Sequence, residues 1–242
     1  MTSPEAPETS PLEEDAFVAR LRALGSQRYH DKHPFHVRMH KGELSREQLQ
    51  AWVLNRYYYQ TRVPIKDAII LSKLEDPAWR RRWIRRIHDH DGQAEGEGGL
   101  FLWQKLATGV GLDPQEMTSL AHVLPAVRFA CDAYVTLVRE RPIVEAIASS
   151  LTEFFSPDIM TTRIAAWQTH YPWIDPDLQG YFRRRVPQAR RDSEEALSFV
   201  LTHARTRDEQ ERCLAAFTTK CDILWSLLDA VDRAFPPAQP SP

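Results

Sequence analysis

The stretch LSREQLQAWVLNRYYYQTR, residues 44–62, decides the fold because it contains both a helix start and a long helical face. Ser45 is followed three residues later by Gln48, the spacing of a capping box, in which two side chains satisfy backbone N–H groups at a helix start. No helix breaker follows until Pro64, which lacks a backbone N–H. The pattern therefore predicts a long helix that either ends or bends at Pro64.

Four residue pairs mark further helix starts, since each places a capping side chain before a proline at the first helical position. These pairs are Asp76-Pro77, Asp113-Pro114, Ser156-Pro157 and Asp175-Pro176. Helices are predicted from Asp76 to near Gly92 and at 97–108, 114–140, 142–155, 157–170, 176–204 and 207–235. No stretch alternates polar and apolar residues as a half-buried strand would. We predict an all-α protein, a single-domain helical bundle.

Length and composition are typical of one globular domain with short tails. Of the 242 residues, 43% are hydrophobic and 26% charged, and the formal net charge of −2 excludes nucleic-acid binding through bulk basicity. Residues 1–12 and 236–242 are rich in proline, so we expect disordered tails around a helical domain at 13–235. No leader peptide or long apolar run is visible, and three cysteines are scattered; we expect a cytoplasmic protein that does not bind membranes.

The motif RRIHDHDG, residues 85–92, raises the question of a metal site. His88 and His90 are two residues apart, which on an α-helix means about 200° of rotation, so one ion cannot bind both. No glutamate is followed three residues later by histidine, the spacing of helical di-iron sites. We therefore expect no metal. Haem binding remains an alternative, because a single axial histidine is enough to hold the haem iron. Of His30, His33, His36 and His40 we expect most to lie at the surface or at helix ends, with Tyr29 and His30 as the haem candidates.

Three pairs of polar residues recur at a spacing of four, which places both members on one helical face. They are Arg56 with Gln60, Arg86 with His90, and Tyr181 with Arg185, all among apolar neighbours. Further polar residues in apolar surroundings are Lys66, Thr152, Glu153, Arg163 and Lys220. Because burying several cations without partners is unfavourable, this interior predicts a small ligand with several carboxylates.

Several long motifs, in this order, resemble the pyrroloquinoline-quinone synthase family. They are NRYYYQTRVPIKDA (55–68), RRIHDHDG (85–92), SSLTEFFSP (149–157), QTHYPWID (168–175), YFRRRVPQARRD (181–192) and KCDILWSLLDA (220–230). The resemblance runs from about Tyr29 to Asp229 and so covers nearly the whole predicted domain.

The resemblance implies a haem-oxygenase-like helical fold and a homodimer that uses no metal or organic cofactor. It also implies ring closure and eight-electron oxidation of a tricarboxylated bicyclic precursor, with O₂ as co-substrate and H₂O₂ released, as the final step of pyrroloquinoline quinone formation. The site residues it implies here are Tyr29, His30, Arg56, Gln60, Lys66, Arg86, His90, Tyr134, Thr152, Glu153, Arg163, Tyr181, Arg185 and Lys220.

Met160 departs from the family pattern, which leads us to expect a histidine at this pocket position. Methionine neither donates a proton nor carries charge, so a proton shuttle or ligand contact is missing. A quinone carrier with impaired turnover is therefore one alternative function.

We assign catalysis to His90, Tyr181 and Arg185. His90 is expected to move protons, because an ordinary histidine titrates near neutrality, and the group is expected to stabilise reduced oxygen. Arg56, Arg86, Arg163, Lys66 and Lys220 are expected to bind carboxylates and Glu153 the substrate amine. A second alternative is a thiaminase-like hydrolase of the same fold with Cys131 as nucleophile, since Cys131 lies three residues before Tyr134.

Overall fold

The computed structural model describes residues 10–237, which form helices and loops without any strand. The α-helices of this part of the chain, numbered α1 to α11 in order, are Glu14–Arg28, Pro34–Lys41, Arg46–Lys73, Pro77–Asp91, Gly98–Gly109, Pro114–Ser119, Pro125–Glu140, Ile143–Ser149, Ser156–His170, Gly180–His203 and Arg207–Ala234. Short 3-10 helices cover His30–Lys32, Ser150–Phe155 and Pro176–Gln179. The all-α prediction is confirmed.

Helix α3 begins as predicted, with Ser45 and Gln48 forming a capping box, but it does not end at Pro64. It continues to Lys73, so of the two predicted outcomes at Pro64, an end or a bend, the end is wrong. Pro64 removes one N–H from the helix ladder, a loss confined to a single hydrogen bond. The buried face on both sides of Pro64, which includes Trp52 and Ile70, outweighs that loss.

The single helix predicted over 114–140 is wrong, because the chain divides into α6 and α7. Leu120 ends α6 with a left-handed backbone at φ 60°, and Pro125 opens α7. The extended residue before Pro125 is held by Asn55, whose side-chain oxygen accepts the Leu124 N–H at 2.9 Å. The predicted helix over 142–155 also divides, into α8 and a 3-10 segment.

Two of the predicted caps act differently from expectation. Ser156 lies inside α9 rather than before it, and its hydroxyl oxygen is 3.2 Å from the Tyr29 hydroxyl. Asp175 accepts the Asp177 N–H at 2.9 Å and so caps the 3-10 helix that precedes α10, not α10 itself. Asp76 and Asp113 cap α4 and α6 as predicted.

Two apolar clusters hold the helices together and leave a polar interior between them. One centres on Trp52, whose ring lies 5.6 Å from Trp103 and 6.1 Å from Trp167 between centroids. The other includes Trp83 and Phe217. Helix α3 packs against α4 and α7, α10 packs against α9, and α11 packs against α7 and α8. Burial of each large aromatic side chain contributes roughly 2–3 kcal/mol to the free energy of folding. The helices around the interior are therefore held rigidly.

The ends of the predicted domain are only partly described. Residues 1–9 and 238–242 of the two predicted tails lie outside the described residues. Leu12, assigned to the first tail, exchanges backbone hydrogen bonds with the Gln210 side chain at 2.7 and 3.0 Å, so the folded part reaches at least to Leu12. Within residues 10–237, no helix has the length and hydropathy needed to span a membrane.

The junction between α4 and α5 depends on glycine. Gly98 has φ +83°, and a Cβ built on it would lie 2.4 Å from the Gly92 nitrogen and 2.6 Å from the His90 carbonyl oxygen. Both neighbours are backbone atoms that cannot move aside independently. The close approach fixes the start of α5 against the end of α4, where His90 lies.

Replacing Gly98 with alanine should lower the free energy of unfolding by about 3 kcal/mol, because left-handed strain adds to a backbone clash. Gly96 is the matched control, with φ +82° and its closest neighbour, the Phe101 ring, 4.0 Å from the added Cβ. Gly96→Ala should cost only about 1 kcal/mol. Urea unfolding of both variants checks this, and equal losses would contradict the packing account of the junction.

Candidate active site

A cavity lies beside the Trp52 cluster, whose Trp52, Trp103 and Phe182 rings form part of its wall. Its wall is supplied by α3, α4, α5, α9, α10 and α11 together with the two 3-10 segments at His30–Lys32 and Ser150–Phe155. Eleven of the fifteen predicted site residues line it: Tyr29, His30, Arg56, Gln60, His90, Thr152, Glu153, Met160, Arg163, Tyr181 and Arg185. As the spacing of four predicts, Arg56 and Gln60 face the same side of their helix, and so do Tyr181 and Arg185. Both pairs line this one cavity.

The other four predicted residues, Lys66, Arg86, Tyr134 and Lys220, lie buried behind this wall. The Lys66 ammonium is 2.8 Å from Asp67 and 3.1 Å from the Ser150 hydroxyl. These cations lie behind the residues that line the cavity, and their direct contact with a ligand stays a prediction. Helical spacing predicts which face a residue occupies but not its depth.

Tyr59, which was not predicted, connects this second layer to the cavity. On the cavity side, the Arg56 guanidinium carbon lies 3.9 Å from the centre of the Tyr59 ring. Lys220 donates a hydrogen bond to the Tyr59 hydroxyl at 2.9 Å, and its ammonium lies 3.5 Å from the centre of the Tyr134 ring. The Tyr59 and Tyr134 rings are nearly parallel, with centroids 6.3 Å apart. Cations and aromatic rings thus alternate from the cavity into the core, an arrangement that favours both partners.

One side of the cavity has its cations neutralised by carboxylates. Arg86 donates to Glu153 at 3.0 Å, and Arg185 lies 3.3 Å from Asp192 and 3.9 Å from Glu153. Burial opposes ionisation of Asp192, but Arg86 and Arg185 lower the pKa of this carboxyl to about 2. Asp192 was missed from the sequence, although it follows Arg185 by seven residues and so shares its helical face.

The other side has cations that no carboxylate of the described residues contacts. Arg163 is 4% exposed, lies 4.8 Å above the Trp52 ring, and makes one hydrogen-bond contact, 3.4 Å to His36. Burial, and then the charge of Arg56, lower the pKa of Arg163 to about 9. Arg56 rests on Tyr59 without an ion pair among residues 10–237. The predicted excess of buried positive charge is thus real, but it is confined to this side.

His90 occupies the cavity in a defined tautomer. Its Nδ1 is 3.1 Å from the Arg86 carbonyl oxygen, which can only accept, so Nδ1–H donates and Nε2 is left as an acceptor. Burial, followed by the charge of Arg185, lowers the pKa of His90 to about 3. The expectation of an ordinary histidine titrating near neutrality in this cavity is therefore wrong. His90 is a neutral base there.

Tyr181 and Gln60 form a hydrogen-bonded pair in the wall. The Tyr181 hydroxyl donates to Gln60 Oε1 at 2.8 Å, and burial raises the pKa of the phenol. Trp103 packs edge-on against the Tyr181 ring, with centroids 4.7 Å apart. Tyr181 therefore stays a protonated hydroxyl in a fixed place, with its one proton directed at Gln60.

The histidines near the start of the chain are less exposed than expected. His30, His33 and His36 are all buried, and His36 contacts His30. His33 does lie at a helix end, where its Nδ1 accepts the Phe35 N–H and caps α2. No set of three or more His, Cys, Asp or Glu side chains within residues 10–237 is arranged to hold a metal ion.

Cys131 and Met160, the two residues that support alternative functions, differ in position. Cys131 is completely buried outside the cavity wall, and burial raises the pKa of its thiol to about 12. A nucleophilic cysteine needs the opposite environment, so the hydrolase alternative finds no support. Met160 does line the cavity, half-buried beside the cluster of Tyr29, Ile159 and Leu224.

Replacing Asp192 with asparagine should lower the free energy of unfolding by about 3 kcal/mol at pH 7, because it leaves Arg86 and Arg185 short of negative charge in the core. The pKa of Asp192 is lower in the folded state than in the unfolded chain, so its stabilisation is present above pH 4 and lost as the pH falls toward 2. That contribution is about 2 kcal/mol.

Urea unfolding between pH 2 and 7 measures both effects. The variant should show a smaller loss of stability between pH 4 and 2 than the wild type. Glu194→Gln, an exposed carboxylate of the same helix, is the control and should change stability by less than about 0.5 kcal/mol. An Asp192 variant as stable as this control would contradict the ion-pair account.

Solved structures of TenA-like proteins share the fold. A TenA homologue from Pseudomonas syringae superimposes with a TM-score of 0.72 at 13% identity, covering 95% of this chain and 100% of that one. A TenA homologue from P. horikoshii gives a TM-score of 0.71 at 16% identity, covering 90% and 98%. A protein described as having a haem oxygenase-like fold, from Shewanella denitrificans, gives 0.70 at 13% identity, covering 92% and 91%. The predicted haem-oxygenase-like fold is confirmed.

Sequence relatives are much closer. Proteins named pyrroloquinoline-quinone synthase are 50% identical in Rhizobium meliloti, over 94% of this chain and 89% of the relative, and 52% identical in Granulibacter bethesdensis, over 90% and 85%. A third, from Gluconobacter oxydans, is 48% identical over 93% and 94%. The TENA/THI-4/PQQC family matches residues 18–230. With this match over most of its length, the chain belongs to the TENA/THI-4/PQQC family.

Proposed function

We propose that this protein is a pyrroloquinoline-quinone synthase, the enzyme of the final step in formation of that quinone. The reaction closes a ring and removes eight electrons from a tricarboxylated bicyclic precursor, with O₂ as co-substrate, H₂O₂ released and pyrroloquinoline quinone as product. Relatives that share about half of their residues with this chain carry that name. The observation that carries the proposal is the cavity's charge, with Arg56 and Arg163 on one side and Glu153 on the other.

The substrate would compensate this charge. Arg56 and Arg163 would bind carboxylates, since a guanidinium matches a carboxylate with two parallel N–H bonds. Glu153 faces the cavity from the opposite side and would accept the substrate amine. Arg86 and Lys220 would act from the second layer, by holding Glu153 and Tyr59 in place. Lys66 would act there through its contacts with Asp67 and Ser150.

His90, Tyr181 and Arg185 would carry the chemistry. His90 presents an unprotonated Nε2 and would accept a proton from the substrate as electrons leave it. Tyr181 would turn its hydroxyl proton from Gln60 to the oxygen being reduced and donate a hydrogen bond to it. The Arg185 cation would stabilise reduced oxygen as it becomes an anion. Each two-electron oxidation passes two electrons and two protons to O₂ and gives H₂O₂.

We propose no metal or organic cofactor, because a quinoid precursor brings its own redox chemistry and the cavity's polar groups suit binding and proton transfer. The proposed partners are the polycarboxylate substrate and a second copy of the chain in a homodimer, with neither nucleic acid nor membrane. The proposed location is the cytoplasm, in keeping with three buried cysteines, Cys131, Cys213 and Cys221, none of which is paired.

A carrier for the finished quinone is the second candidate, and Met160 is the observation that favours it. A thioether in the cavity wall binds apolar surface but transfers no protons. The same guanidinium groups would bind the quinone's carboxylates without turnover.

His90→Asn and Arg185→Ser should each lower kcat by at least about 100-fold, because each removes a group that acts on the reacting atoms. Binding of pyrroloquinoline quinone should weaken by less than about tenfold. Peroxide release from the precursor in air and a titration with the quinone measure the two effects.

The matched controls are His88→Asn on α4 and Arg184→Ser on α10, which change neighbours outside the cavity wall. Both should keep wild-type turnover. If His90→Asn and Arg185→Ser also turn over at the wild-type rate, the catalytic assignment is wrong.

Met160→His should raise the yield of fully oxidised product severalfold, because an imidazole can transfer a proton where a thioether cannot. Met160→Leu, which keeps a similar apolar volume, is the control and should match the wild type. Chromatographic separation of precursor, partly oxidised species and quinone gives the yields. No gain over the leucine control would show that position 160 has no catalytic role in this chain.

A further inference from the structure

His36 is buried behind the cavity wall, 1% exposed, and both of its ring nitrogens have polar contacts. Nδ1 lies 3.0 Å from the His30 carbonyl oxygen and 3.2 Å from Nδ1 of the His30 ring. Nε2 lies 3.4 Å from a terminal nitrogen of Arg163. His36 does not itself line the cavity, but both of its partners do.

These contacts determine which nitrogen of His36 carries the proton. A carbonyl oxygen can only accept, so the contact with the His30 carbonyl requires a proton on Nδ1. A guanidinium can only donate, so the contact with Arg163 requires a lone pair on Nε2. The two contacts are independent and assign the same neutral tautomer.

The tautomer of His30 follows from that of His36. Because His36 Nδ1 carries a proton, the His30 Nδ1 that faces it at 3.2 Å must be the acceptor. The proton of a neutral His30 then resides on Nε2, which contacts no hydrogen-bond partner in residues 10–237 and belongs to a ring in the cavity wall. Burial lowers the pKa of both histidines well below the usual value, which keeps both neutral.

We propose that His36 is a positioning residue that fixes the tautomer of His30, so that His30 presents an N–H donor to the cavity. His90, held by the Arg86 carbonyl, presents an acceptor. The two cavity histidines therefore have opposite hydrogen-bonding character: the ligand atom at His30 accepts a hydrogen bond, as a carboxylate or quinone oxygen does, and the atom at His90 donates one. The ligand's identity rests on the proposed function, but the tautomer does not.

Two other histidines lie close to His36 but make different contacts. They serve as comparisons that distinguish fixing the His30 tautomer from merely filling space in the core. His33 is equally buried, but its nitrogens contact the Phe35 N–H and Asp229. His40 stacks on His36 with ring centroids 6.0 Å apart and has no hydrogen bond to His30. Neither is placed to set the proton of His30.

The test is the nitrogen tautomer of His30, read by long-range ¹H–¹⁵N correlation in ligand-free protein labelled at histidine. In the wild type the proton should be on Nε2. In His36→Phe, which keeps a ring but removes the donor, His30 should become a mixture of tautomers, and kcat/KM for the precursor should fall about tenfold. His36→Asn, whose amide can donate from near the position of Nδ1, should restore the Nε2 tautomer.

His33→Asn, which can still cap α2, is the control and should leave the His30 tautomer unchanged. A proton on Nδ1 of His30 in the wild type would overturn the proposal, as would an unchanged tautomer in His36→Phe. If the tautomers are as stated but no precursor is oxidised, the proposed function fails while this inference stands, so the two failures can be told apart.

Discussion

The positive charge of half-buried Arg56 and buried Arg163 is the constraint on which the site depends. Within the described residues neither guanidinium contacts a carboxylate, and Arg163 is 4% exposed. Such charge is unfavourable without compensation, so it fits a cavity that functions with an anionic ligand inside it. Aromatic faces, Tyr59 beneath Arg56 and Trp52 beneath Arg163, stabilise the two cations without neutralising them.

The opposite side of the cavity shows what a compensated arrangement looks like. Asp192 and Glu153 balance Arg86 and Arg185 within the protein, so these cations are held in place whether or not a ligand is bound. In the proposed reaction the ligand would be attracted to one side and would react at the other. Burial, and then the charge of Arg185, keeps His90 a neutral base rather than an imidazolium.

Much of this was predictable from the sequence, and the exceptions have physical causes. Capping pairs located most helices, and a spacing of four located five of the eleven cavity residues, because both signals are local. The other six were singled out by their apolar surroundings or by the family resemblance. Depth is not local: Lys66 and Lys220 have the spacing of cavity residues yet lie a layer behind. His36 was missed because its contact with His30 crosses from a 3-10 turn to α2, and no periodicity predicts such a contact.

The central claim is that the cavity oxidises a polycarboxylate rather than merely holding it. The most direct measurement mixes the purified wild-type protein with the tricarboxylated precursor in air and follows H₂O₂ and the quinone chromophore together. The account predicts that both appear, and that neither appears when O₂ is removed. Tight binding of precursor and quinone with no peroxide in air would contradict it and would identify the protein as a carrier.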